Sequence, residues 1–142
     1  MNTLHSNTSQ KNTTSIQKTG AATTVFWVLQ IGLAVMFVMS GANKLIGTPD
    51  MIGLFEAIGI GQWFRYVTGI IELVAATLLI IPRLAIFGAL TLAGVMGGAL
   101  LTHLFIIGGA PWMALMYLVF SLIVIWFRRD ELKQIPAAQT AT

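Results

Sequence analysis

Long runs of apolar residues, separated by short turn-forming or polar segments, dominate this sequence. From Thr19 to Asn43, and again from Leu84 to Phe127, there is no Asp, Glu, Lys or Arg. A helix rises about 1.5 Å per residue, so about 20 apolar residues cross the roughly 30 Å hydrocarbon core of a bilayer. The pattern therefore predicts four membrane spans, at about residues 25–46, 64–81, 84–107 and 111–127.

Turn-forming residues mark the boundaries between the later spans. Only Pro82 and Arg83 separate the second span from the third, and the segment from Gly108 to Pro111 separates the third from the fourth. Proline there is well placed to open the next helix. Links this short make consecutive spans antiparallel neighbours. Because backbone polar groups in lipid must be satisfied within each segment, we predict an all-α fold, an integral membrane four-helix bundle.

We predict a separate helix in the connection between the first and second spans, Gly47 to Phe64. Thr48 and Pro49 form a helix-start signal, and Asp50 and Glu56 alternate with apolar residues. This mixture predicts a short interfacial helix that keeps both carboxylates in water. Its apolar face, against lipid or the end of the bundle, consists of Met51, Leu54, Phe55 and Ile58.

The two ends of the chain differ from the spans in composition. Residues 1–22 are rich in Thr, Ser, Asn and Gln and have no apolar period, which predicts a disordered cytoplasmic tail. Residues 129–142 are predicted to form a cytoplasmic C-terminal tail. The four-span membrane domain then covers residues 23–128.

Composition supports a membrane protein and excludes several kinds of chemistry. Of the 142 residues, 56% are hydrophobic and 9% are charged, whereas soluble domains have about 25% charged residues. The net charge of +3 comes from so few residues that it does not indicate a nucleic-acid partner. The absence of cysteine excludes a disulfide framework, a thiolate metal site and a catalytic thiol.

Basic residues collect on one side of the four-span arrangement. Only Lys44 and Arg65 fall on the opposite side. The positive-inside bias therefore predicts that both termini lie in the cytoplasm. A cleavable signal peptide ending near Ser40 is the alternative, but the first apolar segment is longer than an ordinary signal sequence. The basic residues on the cytoplasmic side are Lys11, Lys18, Arg83, Arg128, Arg129 and Lys133.

A few small and polar residues recur at helical spacing within the spans, and we predict that these faces point into the bundle. Counting 1.5 Å per residue places Lys44, Glu72, His103 and Tyr117 in the same half of the membrane. We predict that these four form a cluster with Arg65 at its mouth. The inward faces are Gln30, Ala34, Ser40, Gly41 and Lys44; Arg65, Thr68, Gly69, Glu72, Ala75 and Ala76; Thr91, Gly98, Thr102 and His103; and Tyr117 and Ser121.

Glu72 is the most informative member of this cluster. A charged residue at the centre of a span costs about 2.5 to 3.5 kcal/mol on insertion scales, so it is expected to be paired or functional. It is either a counter-ion of Lys44 or Arg65, or a ligand or proton-handling group. Lys44 by itself is typical of a cation that snorkels from a helix end. His103 fits a hydrogen bond to a neighbouring helix better than heme ligation, and with no second histidine in the spans we predict no metal site.

Two short motifs resemble the DoxX-like family of small four-helix bacterial membrane proteins. Residues 40–45 read S-G-A-N-K-L at the end of the first span, and residues 69–73 read G-I-I-E-L in the second. The resemblance covers about residues 25–128. The family's motif residues fall on Gly41, Lys44, Gly69 and Glu72, and Ser40 and the two glycines are the structural part of the motif. The resemblance implies a multi-pass protein of the bacterial cytoplasmic (inner) membrane.

The resemblance also implies a link to membrane redox systems. Family members are associated with the quinone-reducing part of a thiosulfate oxidation system and with oxidant-defence complexes. One hypothesis is therefore a redox accessory subunit that interacts with quinone and with a partner oxidoreductase. The sequence indicates no cofactor in this chain, so the partner would supply the electrons. The alternative is a non-catalytic membrane scaffold or a small-molecule permease. Both hypotheses are compatible with the presence or absence of enzymatic activity, and with a monomer or a homo-oligomer.

The topology prediction can be tested with reporter fusions. Because six of the eight basic residues lie on one side, fusions after Arg83 and after Lys133 are expected to report the cytoplasm. A fusion near Gly109 is expected to report the opposite side. The reverse pattern would show that the positive-inside assignment is wrong for this chain.

Overall fold

The computed structural model describes residues 3–109 and 111–139, with side chains described for residues 23–109 and 111–130. Every regular element in this part of the chain is helical, which confirms the predicted all-α class. The elements in order are α1 (Thr3–Ile46), α2 (Pro49–Ile58), α3 (Gln62–Ile80), α4 (Ala85–Thr102), a π-helical turn (His103–Ile107) and α5 (Trp112–Gln139).

Four segments of these helices are long and apolar enough to cross a membrane, as the hydrophobic pattern predicts. They start and end close to the predicted spans, and the first follows α1 only from Thr23 onward. The side chains of residues 1–22 and 131–142 lie outside the described residues. The disorder of residues 1–22 therefore stays a prediction, as does the cytoplasmic position of both tails. The four segments are Thr23–Ile46, Gln62–Ile80, Ala85–Ile107 and Trp112–Asp130.

The predicted interfacial helix is α2, and its boundaries follow from local backbone chemistry. Thr48 is extended at the N-cap (φ −60°, ψ 148°), and Pro49 opens the helix, where its missing N–H is not needed. Gly59 ends the helix in the left-handed conformation at φ 79°, and its N–H donates to the carbonyls of Phe55 and Glu56. Glycine adopts this conformation without steric cost.

The orientation of α2 also agrees with its sequence. Phe55 is buried, and its ring packs edge-on against Phe64 of α3 with 5.9 Å between centroids. Met51, Leu54 and Ile58 are half-buried, whereas Asp50 and Glu56 are exposed. The helix therefore covers the end of the bundle with its apolar face.

Helices α1 and α3 run antiparallel and approach each other closely at two glycines. A Cβ atom placed on Gly41 would lie 2.8 Å from the Gly69 carbonyl oxygen and 2.9 Å from Leu73 Cγ. A Cβ atom on Gly69 would lie 3.1 Å from the Gly41 carbonyl oxygen. Small residues at a membrane helix interface allow backbones to approach in this way.

The core lies where the four membrane-length helices face one another. Large apolar side chains on the outer surface, such as Phe105 at 81% exposure, are suited to contact hydrocarbon. The buried cluster consists of Leu33, Ala34 and Phe37 of α1, Ala75, Ala76 and Leu79 of α3, Ala89, Leu92 and Met96 of α4, and Val124 of α5.

The prediction for the inward face of α4 is wrong. Thr91 and Gly98 are exposed, and Thr102 and His103 are only half-buried. The two threonine hydroxyls donate to carbonyls of their own helix, at 2.9 Å each, so they can face lipid without an unmet hydrogen bond. Because α4 is apolar all round, its few small and polar residues do not mark its buried side. That side consists of Ala85, Ile86, Gly88, Ala89, Leu92 and Met96.

The contact between α3 and α4 requires glycine at residue 88. A Cβ atom there would lie 2.6 Å from the Ala75 carbonyl oxygen and 2.7 Å from the Leu79 amide nitrogen, and neither backbone atom can yield easily. We expect Gly88→Ala to lower the free energy of unfolding by about 1–3 kcal/mol through overpacking. Gly94→Ala, with nothing within 4 Å of the added Cβ, is the matched control. Equal thermal stability of the two variants in detergent would contradict this packing.

Candidate functional site

A salt bridge between α1 and α3 forms the centre of the candidate site. Lys44 Nζ lies 2.9 Å from Glu72 Oε2, with 12% of the lysine side chain and none of the glutamate side chain exposed. The ammonium of Lys44 therefore turns inward to a carboxylate and does not snorkel from the end of its helix. Of the two cations proposed as the counter-ion of Glu72, the structure selects Lys44.

The glycine contact explains how the two charged groups reach each other. Lys44 lies one turn after Gly41 on α1, and Glu72 lies one turn after Gly69 on α3. Because the helices are antiparallel, the two residues start on opposite sides of the glycine contact. The lysine stem passes Gly69, since Lys44 Cβ lies 3.1 Å from where a Cβ of residue 69 would be. A side chain at residue 69 would obstruct this path.

Two further features define the hydrogen bonding of the pair. Lys44 Nζ also donates to Ser40 Oγ, one turn earlier on α1, at 2.8 Å. Glu72 Oε1 is buried and accepts no hydrogen bond within the part of the chain that the structure describes. Buried carboxylate oxygens normally have partners. The site therefore has one unused acceptor beside a positively charged group.

Arg65 has a different role from the one predicted. Its side chain is buried, with 4% exposure, but it makes no ion pair with Glu72. Its Nη1 donates to the Lys44 carbonyl oxygen, its Nε donates to Gln62 Oε1 at 2.8 Å, and its guanidinium lies 4.3 Å from the centroid of the Tyr66 ring. A cation at the C-terminus of a helix interacts favourably with its free carbonyls. Arg65 thus caps α1.

Tyr117 approaches the site from α5 through a small pocket. Its ring packs against Phe37 with 5.5 Å between centroids. The pocket has a volume of about 30 Å³ and is lined by Met36, Phe37, Ser40, Met96 and Tyr117. Ser40 belongs both to this pocket and to the hydrogen-bonded group around Lys44, so it connects the two.

His103 is not joined to the other candidates. It begins the π-helical turn, and its Nδ1 is buried without a hydrogen-bond partner among the described residues. In residues 23–109 and 111–130, no hydrogen bond or ion pair links it to Lys44, Glu72, Arg65 or Tyr117. The same part of the chain contains no group of three His, Asp or Glu side chains that could hold a metal ion. The predicted cluster is therefore assembled only in part.

The structure also contains a second polar cluster, at the other end of the bundle, that the sequence analysis does not predict. Gln30 is fully buried and Arg128 is 8% exposed. Arg128 Nε donates to Gln30 Oε1 at 3.0 Å, and Arg128 Nη1 donates to the Pro82 carbonyl oxygen at 2.8 Å. The guanidinium also lies 5.5 Å from the ring centroids of Phe26 and Trp27.

This second cluster supplies hydrogen-bond donors to backbone carbonyls at the end of α3. The last carbonyls of a helix have no partner within it, and Pro82 prevents its continuation. Gln30 Nε2 donates to the Leu79 carbonyl oxygen, and Arg128 donates to that of Pro82. A usable signal was the large polar Gln30 on the same face as Ala34. The position of Arg128 in the sequence indicates only the cytoplasmic side of the membrane and gives no sign of its contact with Gln30.

The energetic role of the salt bridge can be measured with three variants. Glu72→Ala leaves the Lys44 ammonium without its counter-ion and is expected to cost about 3–5 kcal/mol, whereas replacing both residues with methionine is expected to recover most of that stability. Glu56→Ala, on the exposed face of α2, is the control and should change stability by less than about 0.5 kcal/mol. Thermal unfolding in detergent measures all three. A single Glu72→Ala variant as stable as the control would contradict a stabilising pair.

Comparison with known proteins agrees with the geometry of the site. A sequence model of the DoxX-like family matches residues 28–127, a region that contains both interhelical glycines and both members of the salt bridge. No curated protein and no solved structure matches the chain. Together with its four apolar helices of membrane-spanning length, the match shows that this multi-pass membrane protein belongs to the DoxX-like family.

Proposed function

We propose that this protein is a proton-handling accessory subunit of a membrane redox system, with the Lys44–Glu72 pair as its working site. The observation that carries the proposal is the free oxygen of Glu72: Oε1 is buried and accepts no hydrogen bond among the described residues. A group that exchanges protons at a site needs an atom within reach of the proton. Glu72 offers Oε1, while its other oxygen lies 2.9 Å from Lys44 Nζ.

Quinone is the redox partner molecule that this proposal favours, following the association of the family with quinone reduction. When bound, a quinone takes up electrons and protons together. Ser40 and Tyr117 carry hydroxyl groups that can donate to its ring oxygens, and Met36, Phe37 and Met96 offer apolar contact. The pocket of about 30 Å³ is smaller than the cavity of about 150 Å³ that admits benzene. Ring binding therefore requires the flexible Met36 and Met96 side chains to rotate.

Each residue of the site has its own role in this proposal. Lys44 holds the Glu72 carboxylate in place and balances its charge. Glu72 exchanges a proton through its free oxygen. Arg65 keeps the end of α1 fixed by capping the Lys44 carbonyl, and the two glycines keep α1 and α3 in contact. Electrons come from a partner oxidoreductase, because the proposal gives this chain no cofactor.

The proposal also includes a membrane and an orientation. We infer the bacterial cytoplasmic membrane from the family resemblance and the cytoplasmic position of both termini from the distribution of basic residues. In that orientation the Lys44–Glu72 pair lies in the outer half of the membrane. A partner that exchanges protons with this site would then do so from the outer side.

A second function remains in competition, and a specific observation favours it. The helices α1 and α3 approach so closely at Gly41 and Gly69 that the salt bridge between them fits a structural lock equally well. In that case the protein is a membrane scaffold, or a small-molecule permease, and Glu72 only pairs with Lys44. The two functions differ in whether Glu72 must change its protonation state.

Glu72→Gln separates the two functions. An amide keeps the shape and much of the hydrogen bonding of the carboxyl group but cannot take up or release a proton at this site. We expect the variant to stay folded. In membranes that contain it, we expect the rate of quinone reduction to fall on the order of 10²-fold or more, because its residue 72 cannot transfer a proton. Glu56→Gln on the exposed face of α2 is the matched control. Thermal stability in detergent is measured in parallel.

The outcome is decisive in either direction. Full quinone reduction in a well-folded Glu72→Gln variant would rule out the proton-handling function. Loss of activity without loss of thermal stability would rule out a purely structural role for the pair.

A further inference from the structure

The end of the bundle that holds the second polar cluster carries an excess of positive charge. Arg83 lies in the turn before α4, and Arg128 and Arg129 lie near the end of the fourth membrane-length segment. Within the part of the chain that the structure describes, Asp130 is the one acidic residue at this end. Three arginines therefore face a single carboxylate.

Two of these arginines have no partner that neutralises them. Arg83 and Arg129 are both exposed, and neither makes a hydrogen bond or an ion pair within residues 23–109 and 111–130. The Arg129 guanidinium instead lies 4.3 Å from the centroid of the Trp126 ring. A guanidinium presents paired N–H donors that match the oxygens of a phosphate. Both side chains are thus available to a phosphate from outside the chain.

The third arginine holds the turn and α5 together. Arg128 is 8% exposed, and its Nε donates to Gln30 Oε1 at 3.0 Å. Its Nη1 donates to the Pro82 carbonyl oxygen at 2.8 Å, and that carbonyl belongs to the peptide bond that precedes Arg83. Arg128 therefore fixes the turn that carries Arg83 against the helix that carries Arg129. The two exposed arginines lie on neighbouring elements at one level of the bundle.

The surroundings of the two exposed arginines combine charge with apolar surface. Arg83 lies two residues before the third membrane-length segment, and Arg129 lies one residue before the end of the fourth. Toward the middle of the bundle, Phe87 lies one turn after Arg83 and Trp126 lies one turn before Arg129, and both rings are exposed. Tryptophan is typical of the level at which lipid headgroups lie. A ligand at this place meets positive charge at its head and apolar surface along its body.

We propose that Arg83 and Arg129 form a binding site for the headgroup of an anionic phospholipid. The guanidinium groups bind the phosphate, and the acyl chains lie along the exposed rings of Phe87 and Trp126. Basic pockets between membrane-spanning helices bind anionic headgroups in this way. The site is separate from Glu72 and does not depend on the proposed redox function.

Lipid binding can be measured by native mass spectrometry of the full chain in a neutral detergent. Dioleoylphosphatidylglycerol is compared with dioleoylphosphatidylcholine, which has the same acyl chains and no net charge. We expect the anionic lipid to bind about tenfold or more tightly, because hydrogen bonds to charged groups are stronger than neutral ones. Equal affinities would overturn the site. Displacement of the anionic lipid by an equal concentration of glycerol phosphate would overturn the choice of a lipid as the ligand.

Two double variants separate a built site from general attraction between opposite charges. One replaces Arg83 and Arg129 with glutamine, and the other replaces Lys11 and Lys18 with glutamine and so removes the same charge from the N-terminal tail. We expect dioleoylphosphatidylglycerol to bind about tenfold more weakly to the arginine variant. The lysine variant should lose less than about twofold, because salt at 0.15 M screens charges beyond about 8 Å. Equal losses, or unchanged binding to the arginine variant, would overturn the site.

Thermal unfolding of the unmodified protein gives a second and independent test. A ligand that binds only the folded state stabilises it, so dioleoylphosphatidylglycerol is expected to raise Tm by about 5 °C relative to dioleoylphosphatidylcholine. Equal Tm values in the two lipids would overturn the site. Because neither lipid measurement involves quinone or Glu72, failure of the lipid site leaves the proposed function standing, and full quinone reduction in Glu72→Gln leaves the lipid site standing.

Discussion

The distance between the backbones of α1 and α3 controls the rest of this site. In lipid, helices gain little from burying apolar surface against each other, so their association depends on close packing and on polar contacts. Gly41 and Gly69 allow the close packing. That approach brings the Lys44 ammonium to the Glu72 carboxylate, with 12% of the lysine side chain and none of the glutamate side chain exposed. A wider separation would leave a carboxylate in hydrocarbon without its counter-ion, which is among the most costly arrangements in a membrane.

The apolar pattern predicts much of the fold because the bilayer fixes the length of each span and the chain marks its own turns. Pro82 and the glycines near residue 108 end their helices for local reasons. In the same way, Thr48 precedes the first residue of α2 and Gly59 ends that helix. The π-helical turn at His103 is different. Every position around it is apolar or small, so a change from one helical period to another leaves no trace in the hydrophobic pattern.

The site was predictable to the extent that depth alone determines contact. Counting residues places Lys44 and Glu72 in the same half of the membrane, and the long lysine side chain closes the remaining gap. The rotation of α4 about its axis was not predictable, because that helix has no polar face to orient it. The predicted contact of His103 with the Lys44–Glu72 pair was wrong for this reason. The contact between Gln30 and Arg128 depends on how α5 is placed along α1, which no local pattern encodes.

The contacts of Gln30 and Arg128 also bear on how α1 is held in register. A mostly apolar helix in lipid could slide or rotate against its neighbours with little change in contact energy, since hydrocarbon and leucine side chains are similar environments. Here α1 is attached to α3 at two places, by Gln30 at the Leu79 carbonyl and by Lys44 at Glu72. The two attachments are about 21 Å apart along α1 at 1.5 Å per residue. A displacement of one helical turn would break both contacts at once, so α1 has a single position in which both Gln30 and Lys44 meet their partners on α3.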